Sequence, residues 1–162
     1  MMSIDYITKY REMMLNIGEL IANTKKPKTI DGKIPQHNEI IESDIDSKDG
    51  LCVFCGKTSN NLMIIDLDNP ELIKHFEQYK DRTMIVKSGK KGFHIYFRTY
   101  ENPKSRSLTN EDGQHIDILG QGKIAVLPPS IHIDTKKPYE IISDKKIKQL
   151  TRTEEEGLFK KL

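Results

Sequence analysis

At 162 residues the chain is sized for one compact domain, and 36% hydrophobic against 31% charged residues marks a protein with much solvated surface. No apolar run approaches the ~20 residues that span a bilayer, so the sequence offers no membrane-spanning helix. A net charge of +2 gives no overall basic signature, which leaves any preference for polyanions to local clusters.

Those clusters exist. Basic residues crowd 87–91, 104–106, 136–137 and 145–148, while acids gather at 44–49 and 154–156. Such runs suit a local basic channel and equally suit solvated loops.

In chain order, residues 3–23 carry Ile4, Ile7, Met14, Leu15, Ile17 and Ile21 at roughly helical spacing, with Ser3 or Asp5 as the cap. Residues 24–50 are polar, contain two prolines and read as an irregular connection with room for a short helical turn. Residues 1–49 are expected to belong to the same domain as residues 50–142. Cys52 and Cys55 form a lone C-x-x-C, for which His37 and His75 are the nearest further ligands. The stretch LCVFC reads better as a buried strand in which cysteine is a small apolar residue, so no structural zinc is expected.

From Leu51 onward the texture changes to short strands, predicted at 51–55 and 61–67 around the turn-forming GKTSN. A helix is predicted over 70–80, with Asn69 as its cap and Pro70 at its first position. Further strands are predicted at 83–87, 92–99, 114–118, 123–127 and 138–142, with a polar loop over 100–113. The tail 143–162 reads as helical. The order implies an α+β fold, a largely antiparallel sheet with helices on one face, leaving the other face for chemistry.

Three strands divide their faces alike. In 63–68 (MIIDLD), Asp66 and Asp68 share a face opposite Ile65 and Leu67. Two carboxylates one pleat apart repel unless a cation neutralises them, which suits Mg²⁺ or Mn²⁺; a solvated strand end before a helix cap is the alternative. In 87–98 (KSGKKGFHIYFR), a basic glycine-bearing turn leads to a strand with His94, Tyr96 and Arg98 on one face. Backbone N–H groups and lysines of such a turn suit a triphosphate, although an ordinary hairpin turn looks similar. In 114–118 (QHIDI), His115 and Asp117 share a face, and Asp117 is the candidate third carboxylate. By contrast, 56–58 (GKT) is not the end of a P-loop: position 51 is leucine where glycine is required, and a strand follows in place of a helix.

On these residues the chain resembles the catalytic domain of the archaeo-eukaryotic primase superfamily, especially the bifunctional primase-polymerases of plasmids and viruses. The stretch 56–68 (GKTSNNLMIIDLD) resembles the family's first motif, and 88–97 (SGKKGFHIYF) its second. The latter is also similar to a turn in the polymerase domains attached to bacterial end-joining ligases. Residues 116–118 (IDI) supply the third acid, and 120–139 (GQGKIAVLPPSIHIDTKKPY) is similar to the family's glycine strand, PPS-x-H turn and later tyrosine.

The likeness covers about residues 50–142 and implies an RRM-like primase-polymerase core. It implies Asp66, Asp68 and Asp117 as ligands of two Mg²⁺ or Mn²⁺ ions, with His94 as a further catalytic residue. Ser88, Gly89, Lys91, Gly92, His94 and Arg98 are the expected nucleotide-binding set. Many members carry serine two places before the histidine, where this chain has Gly92.

The implied activity is template-dependent nucleotidyl transfer, as DNA polymerase, primase or both. Its substrates would be dNTPs or NTPs, and its partners single-stranded or primer-template DNA and a helicase or other replication subunit. The opening MMSIDYITKY lacks the layout of a secretory signal, so the cytoplasm, or a host's cytoplasm, is the expected location. Two rival readings are a non-catalytic nucleotide- or single-strand-binding subunit and a haloacid-dehalogenase-like phosphatase. The phosphatase also uses an aspartate-x-aspartate strand but needs a Rossmann-like second half that this strand-rich chain lacks.

Overall fold

The computed structural model describes residues 5–29, 33–34 and 45–162. The chain enters through a short helix α1 (Tyr6–Glu12), capped by Asp5, whose carboxylate accepts from the Thr8 N–H at 3.1 Å; Ser3, the other expected cap, lies outside the described residues. The continuous helix expected over 3–23 stops after one short run. Met14 takes a positive φ of 62°, and the chain then extends as β1 (Ile17–Glu19). Gly18 explains the switch, because a Cβ there would stand 2.9 Å from the Phe54 ring on the neighbouring strand. Close packing between two strands therefore overrides the helical spacing of the apolar residues. The expected irregular connection over 24–50 falls partly outside the described residues.

β1 pairs antiparallel with β2 (Leu51–Phe54), and β2 with β8 (Ile124–Leu127), to form a three-stranded sheet. The four residues of β2 are all buried, as the LCVFC pattern predicts. Cys52 and Cys55 are free thiols inside this core, and burial pushes the Cys52 thiol up to about 12. At neutral pH such a thiol stays protonated and behaves as a small apolar group.

The larger sheet has seven strands. Its path is β6 (Arg106–Thr109), β7 (His115–Leu119), β3 (Leu62–Leu67), β5 (Phe93–Arg98), β4 (Ile85–Lys87) and β9 (Glu140–Ser143), antiparallel throughout. A short β10 (Lys148–Gln149) joins β5 in parallel. The fold is α+β, with a sheet that is largely antiparallel. β6 lies inside the stretch expected to be a polar loop. Arg106, Ser107 and Thr109 are exposed, so this edge strand shows no apolar alternation from which sequence could detect it.

One face of the large sheet is covered by a helix over Pro70–Tyr79 and by α2 (Arg152–Lys161). Met63, Ile65, Leu67, Ile95, Phe97, Ile116 and Ile118 pack there against Leu72, Phe76, Tyr79 and Leu158. Asn69 caps the first helix through Oδ1, which accepts from the Glu71 N–H at 2.9 Å, and Pro70 takes the first position, as expected. The helix winds as a 3₁₀ helix. Ile73, Phe76 and Tyr79 recur every third residue, a spacing that a three-residue turn stacks into one row against the sheet. α2 begins with a capping box between Thr151 and Glu154 and occupies only part of the tail expected to be helical; β9 ends and β10 lies within that stretch.

The opposite face is divided. Over Leu62, Ile64 and Tyr96 it is roofed by the small sheet and α1, in a core with Tyr10, Leu15, Val53 and Phe54. Arg98 closes this end: its guanidinium donates to the carbonyls of Ser59, Asn60 and Met13 at 2.5, 3.0 and 2.5 Å. Met13 is the C-cap of α1, so a half-buried cation neutralises a helix C-terminus and locks it to the sheet. Burial holds the guanidinium's pKa below its ordinary value. Replacing Arg98 with methionine leaves three carbonyls short of a charged donor and should cost about 2–4 kcal/mol in urea unfolding.

Candidate active site

Beyond Ile64 and Tyr96 the same face turns polar. β5 sets His94 opposite Asp66 on one side, and β7 sets Asp117 opposite Asp66 on the other. Ser107 of β6 extends the row past Asp117. Directly opposed side chains on neighbouring strands lie within contact range. His94 Nε2 stands 3.4 Å from Asp66 Oδ1. Asp117 Oδ1 accepts from the Ser107 hydroxyl at 2.6 Å and lies 3.0 Å from His115 Nε2. The other ring nitrogen of His94, Nδ1, is buried with no partner among the described residues, an expense of about 1–3 kcal/mol. An unsatisfied buried group of this kind calls for a partner that the protein does not supply, a water, an ion or a substrate group.

Asp68 follows directly after β3 and lines the same cleft as Asp66. Burial first, and then the charges of Asp66 and Asp117, hold the Asp68 carboxyl above its ordinary range. The like charges therefore act on one another. Among the described residues no group of three or more His, Cys, Asp and Glu side chains is gathered tightly enough to hold a metal ion unaided. What the row offers is a line of carboxylates, open on its cleft side.

The turn before β5 forms the second wall. Ser88 organises it: the Ser88 N–H donates to the Gly92 carbonyl at 2.9 Å, and Ser88 Oγ accepts from the N–H groups of Gly92 and Lys90 at 3.0 and 3.3 Å. Both glycines here are enforced by crowding. A Cβ on Gly92 would stand 2.4 Å from the Leu67 carbonyl oxygen, and one on Gly89 would stand 2.3 Å from that of Lys137. The Gly92 contact presses the turn against the end of β3, beside Asp68. Serine at that position has no room in this backbone.

The third wall was not legible in the sequence as part of the site. Lys25, from the connection after β1, and His132 and Tyr139, from the segment after β8, join Asp66, Asp68, Ser88, Lys90, Lys91, Gly92 and His94 around one cleft of about 450 Å³. Tyr139 lies between two histidine rings, 6.2 Å from His94 and stacked at 5.8 Å on His132. Burial, and secondarily the charge of Asp66, pushes its phenol up to about 12, so it remains an O–H donor. His132 belongs to the PPS-x-H stretch, which was the only signal for it. Lys25 had none.

The structure thus gathers Asp66, Asp68, Ser88, Lys91, Gly92 and His94 into one cleft, with Asp117 on the adjoining strand and Gly89 in the turn. It does not gather Arg98. That residue shares the His94 face of β5 but pairs with Leu62 at the far end of β3, where its guanidinium is consumed by backbone carbonyls. Alternation alone assigned it to the nucleotide side; the roof formed by the small sheet separates the two ends.

Fold and cleft together define an α+β protein that sets a carboxylate row against a basic, glycine-bearing turn. Residues 21–153, well over half of the chain, match the family model described as bifunctional DNA primase/polymerase, N-terminal, and the chain belongs to that family. Membership carries primase/polymerase-type nucleotidyl transfer in general terms, with DNA and nucleotides as what such domains act on. No curated protein matches the chain. No described helix is long and apolar enough to cross a membrane.

The raised pKa of Asp68 has a consequence for stability. Its protonated form is favoured in the folded state, so that contribution is complete below the unfolded value of 3.8 and is lost as pH rises through the raised folded value. Asp68→Asn should therefore raise the melting temperature slightly at pH 7 in metal-free buffer and lose that advantage as the pH falls toward 3.8. The gain should be about 0.5 kcal/mol or less, since Asp68 is exposed and screened. Melting curves of both proteins at several pH values check this.

Proposed function

We propose that the chain is a template-dependent nucleotidyltransferase that joins dNTPs or NTPs to a nucleic-acid strand, with two divalent cations at the carboxylate row. The observation that carries this reading is Asp66 flanked across adjoining strands by Asp117 and His94, with the Ser88 turn in the same cleft.

The donor set fits the ions. Mg²⁺ and Mn²⁺ prefer carboxylate oxygens, and Mg²⁺ in particular is bound through one or two carboxylates, water and substrate phosphates instead of an all-protein cage. An open acidic row, with Asp68 under the repulsion of its neighbours, suits an ion that arrives with its nucleotide. Asp66, Asp68 and Asp117 would hold it. Such ions acidify an attacking 3′-hydroxyl and steady a pyrophosphate leaving group.

The chain's own groups do the rest. His94, held beside Asp66, presents its Nε2 side at the boundary between the acids and the basic turn. The Ser88 oxygen is used by two backbone N–H groups, which leaves its O–H free to donate to a phosphate oxygen. Lys90 and Lys91 add charge that balances the phosphates. Single-stranded or primer-template DNA would be held by the basic loops, so affinity should fall steeply with salt and depend little on sequence. A helicase or other replication subunit is the expected protein partner, and the cytoplasm or a host's cytoplasm the place of action.

With Mn²⁺, a primer-template and dNTPs, the chain should extend the primer, and Asp66→Ala or Asp117→Ala should lower the rate at least ~100-fold, since each removes a group that stabilises developing charge. Gel analysis of the products decides; a wild-type chain that binds DNA but shows neither extension nor metal-dependent dNTP binding would be a strand-binding module instead. Supplying NTPs without a primer in the same assay separates priming from extension.

A further inference from the structure

The outer end of the carboxylate row is built by a strand that the core hardly uses. β6 exposes Arg106, Ser107 and Thr109, and only Leu108 packs an apolar side chain toward the helices. Its ladder nevertheless sets Ser107 directly opposite Asp117 and Thr109 opposite His115. Alternation along β7 puts His115 on the Asp117 face. Ser107 and His115 therefore flank the last acid of the row, one across the ladder and one along the strand.

Both reach the same oxygen. Ser107 Oγ donates to Asp117 Oδ1 at 2.6 Å, and His115 Nε2 lies 3.0 Å from that atom. A carboxylate only accepts, so the imidazole that bonds to it presents a proton on Nε2. Every hydrogen bond and ion pair of Asp117 among the described residues falls on Oδ1, which leaves Oδ2 without a protein partner there. The other two acids are held differently. Asp66 has the 3.4 Å contact with His94, and Asp68 has no hydrogen bond or ion pair among the described residues. An aspartate's terminal torsion is otherwise broad and roughly two-fold, so its two oxygens readily exchange places. Two donors on one oxygen remove that freedom at Asp117 alone.

We propose that Ser107 and His115 are positioning residues for Asp117: by holding Oδ1 they present Oδ2, in one orientation, to the divalent cation of the row. This rests on the reading of Asp117 as a metal ligand in nucleotidyl transfer. Outer donors of this kind orient ligating carboxylates, and losing one costs roughly tenfold to a hundredfold in metal affinity or activity. The cost is not hidden here, because among the described residues no tight group of three donors stands ready to compensate for a carboxylate that turns away. An edge strand with little to bury thus serves the site through one hydroxyl.

The test titrates Mn²⁺ into the full chain and follows the free ion by electron paramagnetic resonance. The Mn²⁺ concentration that half-saturates primer extension is the second readout. Ser107 and His115 are both exposed, so their variants should fold normally, and melting curves check this. Ser107→Ala and His115→Ala should each weaken Mn²⁺ binding about tenfold in both readouts. Ser107→Thr keeps the hydroxyl and His115→Gln keeps a side-chain N–H donor, so both should stay within about twofold of wild type, well inside the cost of a lost donor. A merely structural role would not divide the variants in this way. Alanine variants that bind Mn²⁺ like wild type, or conservative variants as weak as the alanine ones, overturn the proposal. If Asp117→Ala loses Mn²⁺ while both alanine variants keep it, the positioning role alone falls. If Asp117→Ala binds Mn²⁺ as well as wild type does, the metal reading of Asp117 falls together with it.

Discussion

The pairing of β3 with its two neighbours is the constraint on which the rest depends. Asp66 meets His94 and Asp117 only because Leu62 faces Arg98 and Ile64 faces Tyr96 and Leu119 further along the same ladders. A slip of one residue would send every side chain of β3 to the opposite face. It would bury Asp66 beneath the helices and expose Ile65. Both faces resist this: Met63, Ile65 and Leu67 are fixed against Phe76 and Leu72, and Leu62 and Ile64 against the small sheet. Apolar packing on two sides thus sets the alignment of the polar row, and Arg98 secures the far end by joining β5 to the 57–60 turn and α1.

The row was legible in sequence because a period of two is a local property. Aspartates at 66 and 68, a histidine at 94 and an aspartate at 117 each alternate with isoleucine, leucine or phenylalanine, so their common face follows without knowing the pairing. The apolar face that the Pro70–Tyr79 helix and α2 cover was legible for the same reason, whereas the roof of α1 and the small sheet over half of the other face, expected to be left for chemistry, was not. The sites where reading failed were settled by partners distant in the chain. Ile17 and Leu15 fit a helix locally, but Gly18 had to lie against Phe54. β6 has no apolar side, so only its ladder to β7 defines it. Arg98 alternates correctly with His94, yet the small sheet lies over its end of the face. Lys25 looks like any lysine of a polar connection until the connection folds beside His132.

The two ends of one sheet face therefore serve different purposes through a single rule. Where the small sheet covers the face, Leu62, Ile64 and Tyr96 complete a core; where that cover stops, the next residues in the same rows are Asp66 and His94. No separate scaffold has to position the acids, because the strands that carry them are already held rigid by the core one residue pair away. The sharp change from apolar to charged also concentrates like charges in a partly buried place, which is the origin of the raised Asp68 pKa.

The small sheet has a second role, set by where its chain segments lead. Lys25 hangs from the segment that leaves β1, anchored by the bridge between Leu20 and Pro27, and His132 from the segment that leaves β8. The Ser130 hydroxyl, two residues before His132, donates to the Leu51 carbonyl at 3.1 Å and accepts from the Leu51 N–H at 2.8 Å, fastening that segment to β2. The acids belong to the large sheet; Lys25 leaves from the small one, and His132 sits on the segment that runs between the two, from β8 to β9. A molecule that fills the cleft then adds a crosslink between two layers already joined by the apolar core and by Arg98, so occupancy of the cleft should also tighten the sheets against one another.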